Sequence, residues 1–356
     1  MPASDCDHLR VLTTYPDDFC PVQVEAWRAG EGFSGARFWR VTTKWSPLCL
    51  RRWPPGSPSV EDLEFIHAVL RHVAGSGFRL IPVPYPNRQG ETCVRYGDYL
   101  WELSPWLPGC PDFRETPSVE RLRAAHVALA EFHQAAATYP RLAAPEGISP
   151  GLQQRRDQLR RWLRGELELL TIAVTLHPKS ELQVLAQRIL SLVPGLAHEV
   201  AARLDACAHR VVPLQPCIGD IWHGNVLFER ARVTGLVDFG AMGIDTVARD
   251  IARLLGSMAG DDADLWQAGL EAYQAVRKLS ESEQQLITVF DRSTVLMAGL
   301  NWLDWIYRQH RSFEHPEAIR DRLTEIADRL GHLRTRNVTG ETRAPGCLGG
   351  RSDPGP

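Results

Sequence analysis

The most informative part of the chain reads IGDIWHGNVLF at residues 218–228 and continues as VTGLVDFG at residues 233–240. Asp220 follows one short apolar run, Asn225 precedes a second, and Asp238 follows a third, directly before a phenylalanine and a glycine. An aspartate followed five residues later by an asparagine occurs about once by chance in a chain of this length. Three polar residues in this order, each at the end of a predicted strand, are a much more specific pattern.

These three residues offer the chemistry that phosphoryl transfer needs. Carboxylate and amide oxygens suit Mg²⁺, and the reaction requires little beyond the metal, positioning and a group that orients the attacking hydroxyl. We predict that Asp220 is the catalytic residue that accepts the hydroxyl proton, and that Asn225 and Asp238 bind Mg²⁺. The alternative is that Asp220 and Asp238 only form turns after strands, as aspartate often does.

The first third of the chain, well before this segment, has the alternating apolar pattern of β-strands. Strands are predicted near residues 22–26, 38–41 and 48–51, and a hairpin is predicted at residues 92–103. A helix is predicted to begin with a capping box at Ser59. Its buried stripe is predicted to consist of Leu63, Ile66, Leu70 and Val73.

Beyond residue 108 the apolar spacing becomes helical, interrupted by short apolar strands on both sides of Asp220. This pattern predicts a small, mainly β lobe, a hinge rich in proline and glycine, and a larger, mainly helical lobe. The predicted units are an N-terminal extension at residues 1–20, an N-lobe at 21–107, a C-lobe at 108–335 and a disordered tail at 336–356.

Composition excludes several classes of protein. The 356 residues include 40 Lys and Arg against 43 Asp and Glu, a net charge of −3, so neither nucleic acid nor an anionic membrane is a predicted partner. No apolar run approaches the length of a membrane helix, and the first ten residues lack the apolar region of a secretory signal. The eight cysteines form no C-x-x-C pair, which favours reduced thiols and a cytoplasmic location.

With these motifs the sequence resembles the aminoglycoside phosphotransferase family, small-molecule kinases of protein-kinase-like fold, over about residues 22–333. The family's catalytic loop, H-G-D-x-x-x-x-N, corresponds to residues 218–225, and its metal-binding element ending in D-F-G corresponds to residues 238–240. Asp250 matches an aspartate that, by the resemblance, braces the catalytic loop, and residues 125–133 look like the family's A-x-x-L-A-x-x-H helix. The resemblance implies an α+β bilobal fold, with a small antiparallel β N-lobe that carries one helix. It also implies ATP and Mg²⁺ as cofactors and a hydroxyl as the phosphate acceptor.

The resemblance also implies a nucleotide site in the N-lobe. Gly30, Gly32 and Gly35 form the pattern G-x-G-x-x-G, and the residues after it look extended rather than helical. This favours a β-hairpin over the nucleotide phosphates instead of a dinucleotide-binding turn; a plain hairpin turn is the alternative. The segment from Glu102 to Ser104 is predicted to be the hinge that offers backbone groups to adenine.

On the third predicted strand, Cys49 and Arg51 point the same way because side-chain direction alternates along a strand. By the resemblance, Cys49 packs on adenine and Arg51 contacts the α- and β-phosphates. Glu64 on the following helix is the predicted acidic partner of Arg51, and Glu61 is the alternative.

Two residues depart from the family pattern: Arg51 stands where lysine is usual, and Ile218 stands where histidine is usual. These two departures leave open the alternative that the protein is a catalytically degenerate member of the family, which binds nucleotide without transferring phosphate. Because the catalytic aspartate and both predicted metal ligands are present, we favour an active ATP-dependent phosphotransferase. A third hypothesis combines Asp220, His223 and Asp238 into a metal-hydrolase site, but it leaves the glycine hairpin without a use.

The acceptor is less defined by the sequence. A small hydroxylated metabolite or an aminoglycoside-like molecule is the predicted partner. Tryptophans near acidic residues in the C-lobe can recognise an amine, although tryptophan at helical spacing usually belongs to a core. Trp222 and His223, inside the catalytic loop, are better placed to touch the substrate. The tryptophans and acidic residues considered are Trp266, Trp302, Trp305, Asp261, Asp262 and Asp264.

Overall fold

The structure, a computed structural model, describes residues 6–27, 35–140, 145–177, 180–311, 313 and 316–339. Its smaller lobe is built on a five-stranded antiparallel sheet with the strand order β1-β2-β3-β5-β4. The predicted strands and helix of this lobe are all present. Its elements are α1 (Asp7–Leu12), β1 (Gln23–Trp27), β2 (Arg37–Thr42), β3 (Pro47–Arg52), α2 (Val60–Gly75), β4 (Val94–Tyr96) and β5 (Tyr99–Pro105).

The two faces of this sheet are directed towards different parts of the molecule. One face carries the core of the N-lobe, which includes Leu48 and Leu50 of β3 and Leu103 of β5. Val11 and Leu12 of α1 belong to the same core, so this part of the segment assigned to an N-terminal extension packs as part of the lobe. The other face, with its alternate side chains, looks towards the C-lobe.

Helix α2 connects the cores of the two lobes. Its predicted capping box is confirmed, because Ser59 Oγ accepts from the backbone N of Asp62 and the Asp62 carboxylate accepts from the backbone N of Ser59, both at 3.1 Å. The predicted stripe, represented by Leu63, Ile66 and Leu70, is buried in the large core that it shares with the C-lobe. Burial of this stripe sets the position of the N-lobe on the C-lobe.

The larger lobe is mainly helical, as predicted. Its helices are α3 (Val119–Ala137), α4 (Pro150–Arg161), α5 (Leu167–Leu176), α6 (Glu181–Cys207), α7 (Ala248–Met258), α8 (Ala263–Val276), α9 (Glu281–Tyr307) and α10 (Pro316–Thr339). Its strands form three two-stranded sheets. They are β6 (Glu146–Ile148), β7 (Val211–Pro213), β8 (Gln215–Cys217), β9 (Val226–Glu229), β10 (Arg232–Leu236) and β11 (Gly243–Asp245).

Two of these small sheets hold the segment that carries the predicted chemistry. In the β9–β10 hairpin, Val226 lies opposite Leu236, and the backbone N of Val237 donates to the carbonyl of Asn225 at 2.9 Å. In the β8–β11 pair, Cys217 lies opposite Gly243. The start of the catalytic loop, its end and the D-F-G element are therefore brought to one place.

Helix α10 continues to Thr339, into the range assigned to a tail, and residues 340–356 lie outside the described residues. The described cysteines are free thiols, as predicted. Within the described ranges, none of the helices is long and apolar enough to cross a membrane.

Candidate active site

Asp250 at the start of α7 holds the catalytic loop by its backbone. Its carboxylate is fully buried and accepts from the backbone N of Ile218 at 2.6 Å and from that of Gly219 at 2.8 Å. The bracing role that the resemblance implies for Asp250 is thus present. Because the loop residue at position 218 contributes its backbone N–H to this contact and its apolar side chain to the core, isoleucine can replace the family's histidine here.

His133 of α3 supports the same aspartate. Its Nε2 lies 3.1 Å from Asp250 Oδ2, and its Nδ1 lies 2.8 Å from the Tyr273 hydroxyl. Burial lowers the pKa of His133, although the bond to Asp250 opposes this, so the neutral ring donates from Nε2 and accepts the Tyr273 proton at Nδ1. The histidine of the A-x-x-L-A-x-x-H helix is therefore a structural residue that positions the loop, as predicted.

Gly219, between Ile218 and Asp220, adopts a positive φ of 89°. A Cβ at this position would lie 2.0 Å from the carbonyl oxygen of Ala241, just after the D-F-G element. The catalytic loop and the D-F-G segment approach each other this closely only because residue 219 has no side chain.

Asp220 lies at the surface of the cleft between the lobes, with 59% of its side chain exposed. Its Oδ1 accepts from Arg253 Nε at 2.8 Å. Arg253 projects from α7 one turn after Asp250, so the same helix positions both the backbone of the loop and its predicted catalytic carboxylate. The role of Arg253 was missed from the sequence; its spacing of three residues from Asp250 was the available signal.

The two predicted metal ligands lie at the adjoining ends of the β9–β10 hairpin. Asn225 is buried and its Nδ2 donates to the carbonyl of Asp220 at 3.1 Å, which turns its Oδ1 away from that contact. Asp238 is half-exposed and adopts a positive φ of 63°. One carboxylate and one amide oxygen at neighbouring backbone positions form a donor set that fits Mg²⁺.

Arg51 of β3 reaches across the cleft to Asp238. Its Nη2 lies 2.8 Å from Asp238 Oδ1, and its guanidinium stacks on the Trp53 ring at 3.3 Å. The same Trp53 ring packs on Gly240, where an added Cβ would lie 2.7 Å from it. The N-lobe cation that the sequence assigns to the phosphates thus contacts a predicted metal ligand in this structure.

The acidic residue facing Arg51 within the sheet is Glu102 rather than Glu64. Glu102 lies opposite Arg51 in the β3–β5 register, is buried, and bonds His67 of α2 at 2.9 Å. Burial tends to raise the pKa of Glu102, but the His67 bond and the Arg51 charge outweigh it and hold that pKa below its usual value. Glu64 and Glu61 are exposed on α2, and the structure does not bring either to Arg51.

The residues predicted to contact adenine, Cys49, Glu102 and Ser104, lie on the neighbouring strands β3 and β5. Cys49 lies opposite Ser104 on the cleft face of the sheet, and burial raises the pKa of its thiol to about 12, so it is neutral at pH 7. Glu102 and Ser104 lie inside β5, and the carbonyl of Leu103 accepts from Tyr85, so the crossing between lobes begins after Pro105.

The glycine motif is only partly described. Gly30 and Gly32 lie outside the described residues, whereas Gly35 has a φ of 73° just before β2. The chain after Gly35 is extended, as the hairpin hypothesis requires and the dinucleotide-binding alternative does not.

The metal-hydrolase hypothesis is not supported by the geometry. In the described ranges, the set of side chains close enough to share a metal is His133, Cys217 and Asp250. None of the residues that this hypothesis needs belongs to that set. Instead, His223 is buried, with its backbone N bonded to Ser257, and burial and neighbouring arginines lower its pKa to about 3.

The aromatic and acidic residues considered for amine recognition have other contacts. Trp302 is buried in the core, and Trp266 donates its indole N–H to the carbonyl of Gly260. Asp262 caps α8, and Asp261 pairs with Arg329 of α10. Trp302 therefore belongs to the hydrophobic core, Asp262 to a helix cap and Asp261 to an ion pair.

Comparison with known proteins identifies the family. The model of the phosphotransferase enzyme family matches residues 26–286, which include the whole site described above. The chain belongs to this family. It is a small-molecule phosphotransferase that transfers a phosphoryl group from ATP to a hydroxyl.

Relatives and solved structures agree with this assignment. A homoserine kinase of Rhizobium etli is 27% identical over 285 residues, 78% of this chain and 79% of that protein. Aminoglycoside phosphotransferase from Alicyclobacillus acidocaldarius, at 19% identity, covers 95% of this chain and 98% of its own with a TM-score of 0.61. Spectinomycin phosphotransferase in complex with ADP and spectinomycin, at 11% identity, covers 94% and 99% with a TM-score of 0.67. The structural likenesses establish the kinase-like fold.

Proposed function

We propose that Asp220 is the catalytic base of this phosphotransferase, and that Asn225 and Asp238 bind Mg²⁺. The observation that carries the proposal is how the loop is held at both ends. Asp250 fixes its backbone at residues 218 and 219, and the backbone bond from Val237 to Asn225 joins its other end to the segment that carries Asp238. The exposed Asp220 carboxylate is accessible to a substrate hydroxyl. Its bond to Arg253 Nε orients it and leaves its other oxygen for the hydroxyl proton.

Nucleotide binding is assigned to the cleft face of the N-lobe sheet. Cys49 and Ser104 would pack against adenine, and Arg51 would move from Asp238 to the nucleotide phosphates. Mg²⁺, when bound, neutralises charge on the transferred phosphoryl group. Gly30, Gly32 and Gly35 are proposed to cover the phosphates. Glu102 is proposed to orient Arg51 rather than to bind adenine.

The relatives indicate a broad class of phosphate acceptor and do not identify one substrate. Relatives and neighbours named for their acceptors include homoserine kinases and an aminopropanol kinase, so we propose a small hydroxylated molecule and a cytoplasmic location. The test is ADP release from Mg²⁺-ATP with homoserine, aminopropanol, spectinomycin and simple sugars. Acceptor-dependent release that stops with EDTA supports the proposal. Nucleotide binding without release for any acceptor favours the degenerate alternative.

Arg51→Gln is expected to raise the KM for Mg²⁺-ATP about tenfold, because it removes a charge-assisted contact to phosphate. The matched control is Arg52→Gln, one residue along β3. Arg52 is equally buried but lies on the other face, with its guanidinium 4.1 Å from the Tyr99 ring centre. Steady-state kinetics and thermal unfolding of both variants separate the effects.

We expect Arg52→Gln to lower the melting temperature with little change in KM. If both variants change the KM for ATP equally, the change reflects a disturbed sheet, and Arg51 has no direct role in phosphate binding.

A further inference from the structure

A cavity of about 780 Å³ lies in the C-lobe between α7, α9 and α10. Its wall includes Arg253, the partner of Asp220, and Ser257, whose Oγ accepts from the backbone N of His223. The cavity therefore reaches the catalytic loop, where the acceptor hydroxyl must lie if Asp220 is the base. Any role of this cavity in acceptor binding rests on that proposed function.

Three guanidinium groups line this cavity near the catalytic loop. Arg114 Nη1 lies 2.6 Å from one oxygen of Glu325, and Arg322 Nη1 lies 3.0 Å from the other. Arg253 is paired with Asp220. Three cations thus face two carboxylates, which leaves one positive charge in excess at the reactive end.

The three guanidinium groups also affect one another. Burial lowers the pKa of Arg322, and the charges of Arg253 and Arg114 lower it further, although the bond to Glu325 opposes this. The positive charges of the three arginines therefore repel one another in the cavity wall.

The other end of the cavity has the opposite balance. There Asp261 and Asp291 share Arg329, whose Nη2 lies 3.4 Å from the first and 3.0 Å from the second. Arg329 also donates to the carbonyl of Gly256 at 3.2 Å. Two further carboxylates line the cavity, but Asp262 caps α8 and Asp328 pairs with Arg188 at 2.8 Å. The excess of positive charge therefore belongs to the group of Arg114, Arg253 and Arg322.

We infer that the acceptor is a small hydroxylated carboxylate, whose anionic group binds Arg114 and Arg322 while its hydroxyl reaches Asp220. A guanidinium presents paired N–H donors that match a carboxylate. Binding such a group would neutralise the excess charge and compete with Glu325 for the two arginines. A polycationic acceptor would meet like charge at the position where it must react.

The first test compares acceptors that differ in the carboxylate alone. 4-Hydroxybutanoate is compared with 1,4-butanediol, and L-homoserine with its amide, while 1-amino-2-propanol and spectinomycin represent acceptors without a carboxylate. We expect kcat/KM for each carboxylate to exceed that of its counterpart by about tenfold or more. Preference for the diol, the amide or the amines overturns the inference and leaves the proposed phosphotransferase intact.

The second test uses a matched pair of variants on α10. Arg322→Gln is expected to raise the KM for the carboxylate acceptor about tenfold without changing the KM for ATP. Arg320→Gln is the control, because Arg320 is half-exposed and its ion pairs, to Glu181 and Asp321, lie away from the cavity. A rise in the KM for ATP instead would assign the arginines to the nucleotide and contradict the inference.

A calorimetric titration tests the carboxylate site separately from the proposed catalytic function. Wild-type protein with Mg²⁺ and a non-hydrolysable ATP analogue is titrated with 4-hydroxybutanoate, and Arg322→Gln is titrated in parallel. Binding by wild type that the variant loses, without turnover of any acceptor, supports the carboxylate site and contradicts the proposed function. Absence of binding in wild type overturns the inference whether or not other acceptors turn over.

Discussion

Replacing Asp220 with asparagine is expected to lower kcat by about 10²- to 10⁴-fold, the range that a positioned general base contributes. Asparagine keeps the size of the side chain and retains an oxygen that can accept from Arg253 Nε. The change therefore removes the proton-accepting carboxylate with little disturbance of the loop. Steady-state ADP release gives kcat, and we expect the KM for ATP to stay within about twofold of wild type.

Asp321→Asn is the control for the loss of a carboxylate. Asp321 lies on α10 with 73% of its side chain exposed, and its ion pair is with Arg320. Its variant should retain full activity. If Asp220→Asn keeps wild-type kcat while its circular dichroism and melting temperature are unchanged, Asp220 is not the base.

The Gly219→Ala variant is expected to be both unstable and inactive. An alanine there meets the carbonyl of Ala241 and must also adopt a positive φ. Backbone strain of about 1–3 kcal/mol and overpacking of about 1–3 kcal/mol predict a loss of several kcal/mol in the free energy of unfolding. Any relief of the clash moves the catalytic loop away from the D-F-G segment, so activity should be lost with stability.

Comparison with Gly77→Ala separates the effect of the clash with Ala241 on stability from the effect of backbone strain. Gly77 also has a positive φ, 101°, but nothing lies within 4 Å of an added Cβ. This variant should therefore lose only about 1–2 kcal/mol from backbone strain and keep its activity. Thermal unfolding of the two variants should show a drop at least twice as large for Gly219→Ala. Equal drops would mean that the loop tolerates the contact with Ala241.

Much of the N-lobe could be predicted because its signals are local. Strand alternation, the Ser59 capping box and the stripe of α2 each depend on residues a few positions apart. The same alternation correctly placed Cys49 and Arg51 on one face. The end of β5 was harder to predict. Glu102 and Ser104 belong to the strand, which continues to Pro105, whereas the sequence predicts the hinge at these residues.

The partners of charged residues could not be predicted in this way. Arg51 pairs with Asp238, which lies 187 positions later, and no periodicity connects the two. Glu64, on the helix that follows Arg51, is the acidic partner that the sequence predicts, but α2 presents His67 to the sheet and leaves Glu64 exposed. The chain topology brings these charged groups together, and contacts between residues so far apart in sequence cannot be predicted from a local sequence pattern.

The backbone position of the loop that carries Asp220 could be predicted for a different reason. Its polar residues stand at the ends of short strands, where strand pairing leaves few possible positions. Asp250 was named through a family resemblance, and its two bonds to the loop backbone explain why a change from histidine to isoleucine at residue 218 is compatible with the geometry.

Helix α10 has a consequence for how this enzyme can diversify. It provides Arg322, Glu325 and Arg329 to one wall of the C-lobe cavity, yet it begins at Pro316, beyond residue 286 where the match to the family ends. This wall and the residues around Asp220 thus lie in separate stretches of the chain, although α7 contributes Arg253 to both. If the cavity binds the acceptor as inferred, substitutions in α10 can change its shape and charge without altering the loop that Asp250 holds.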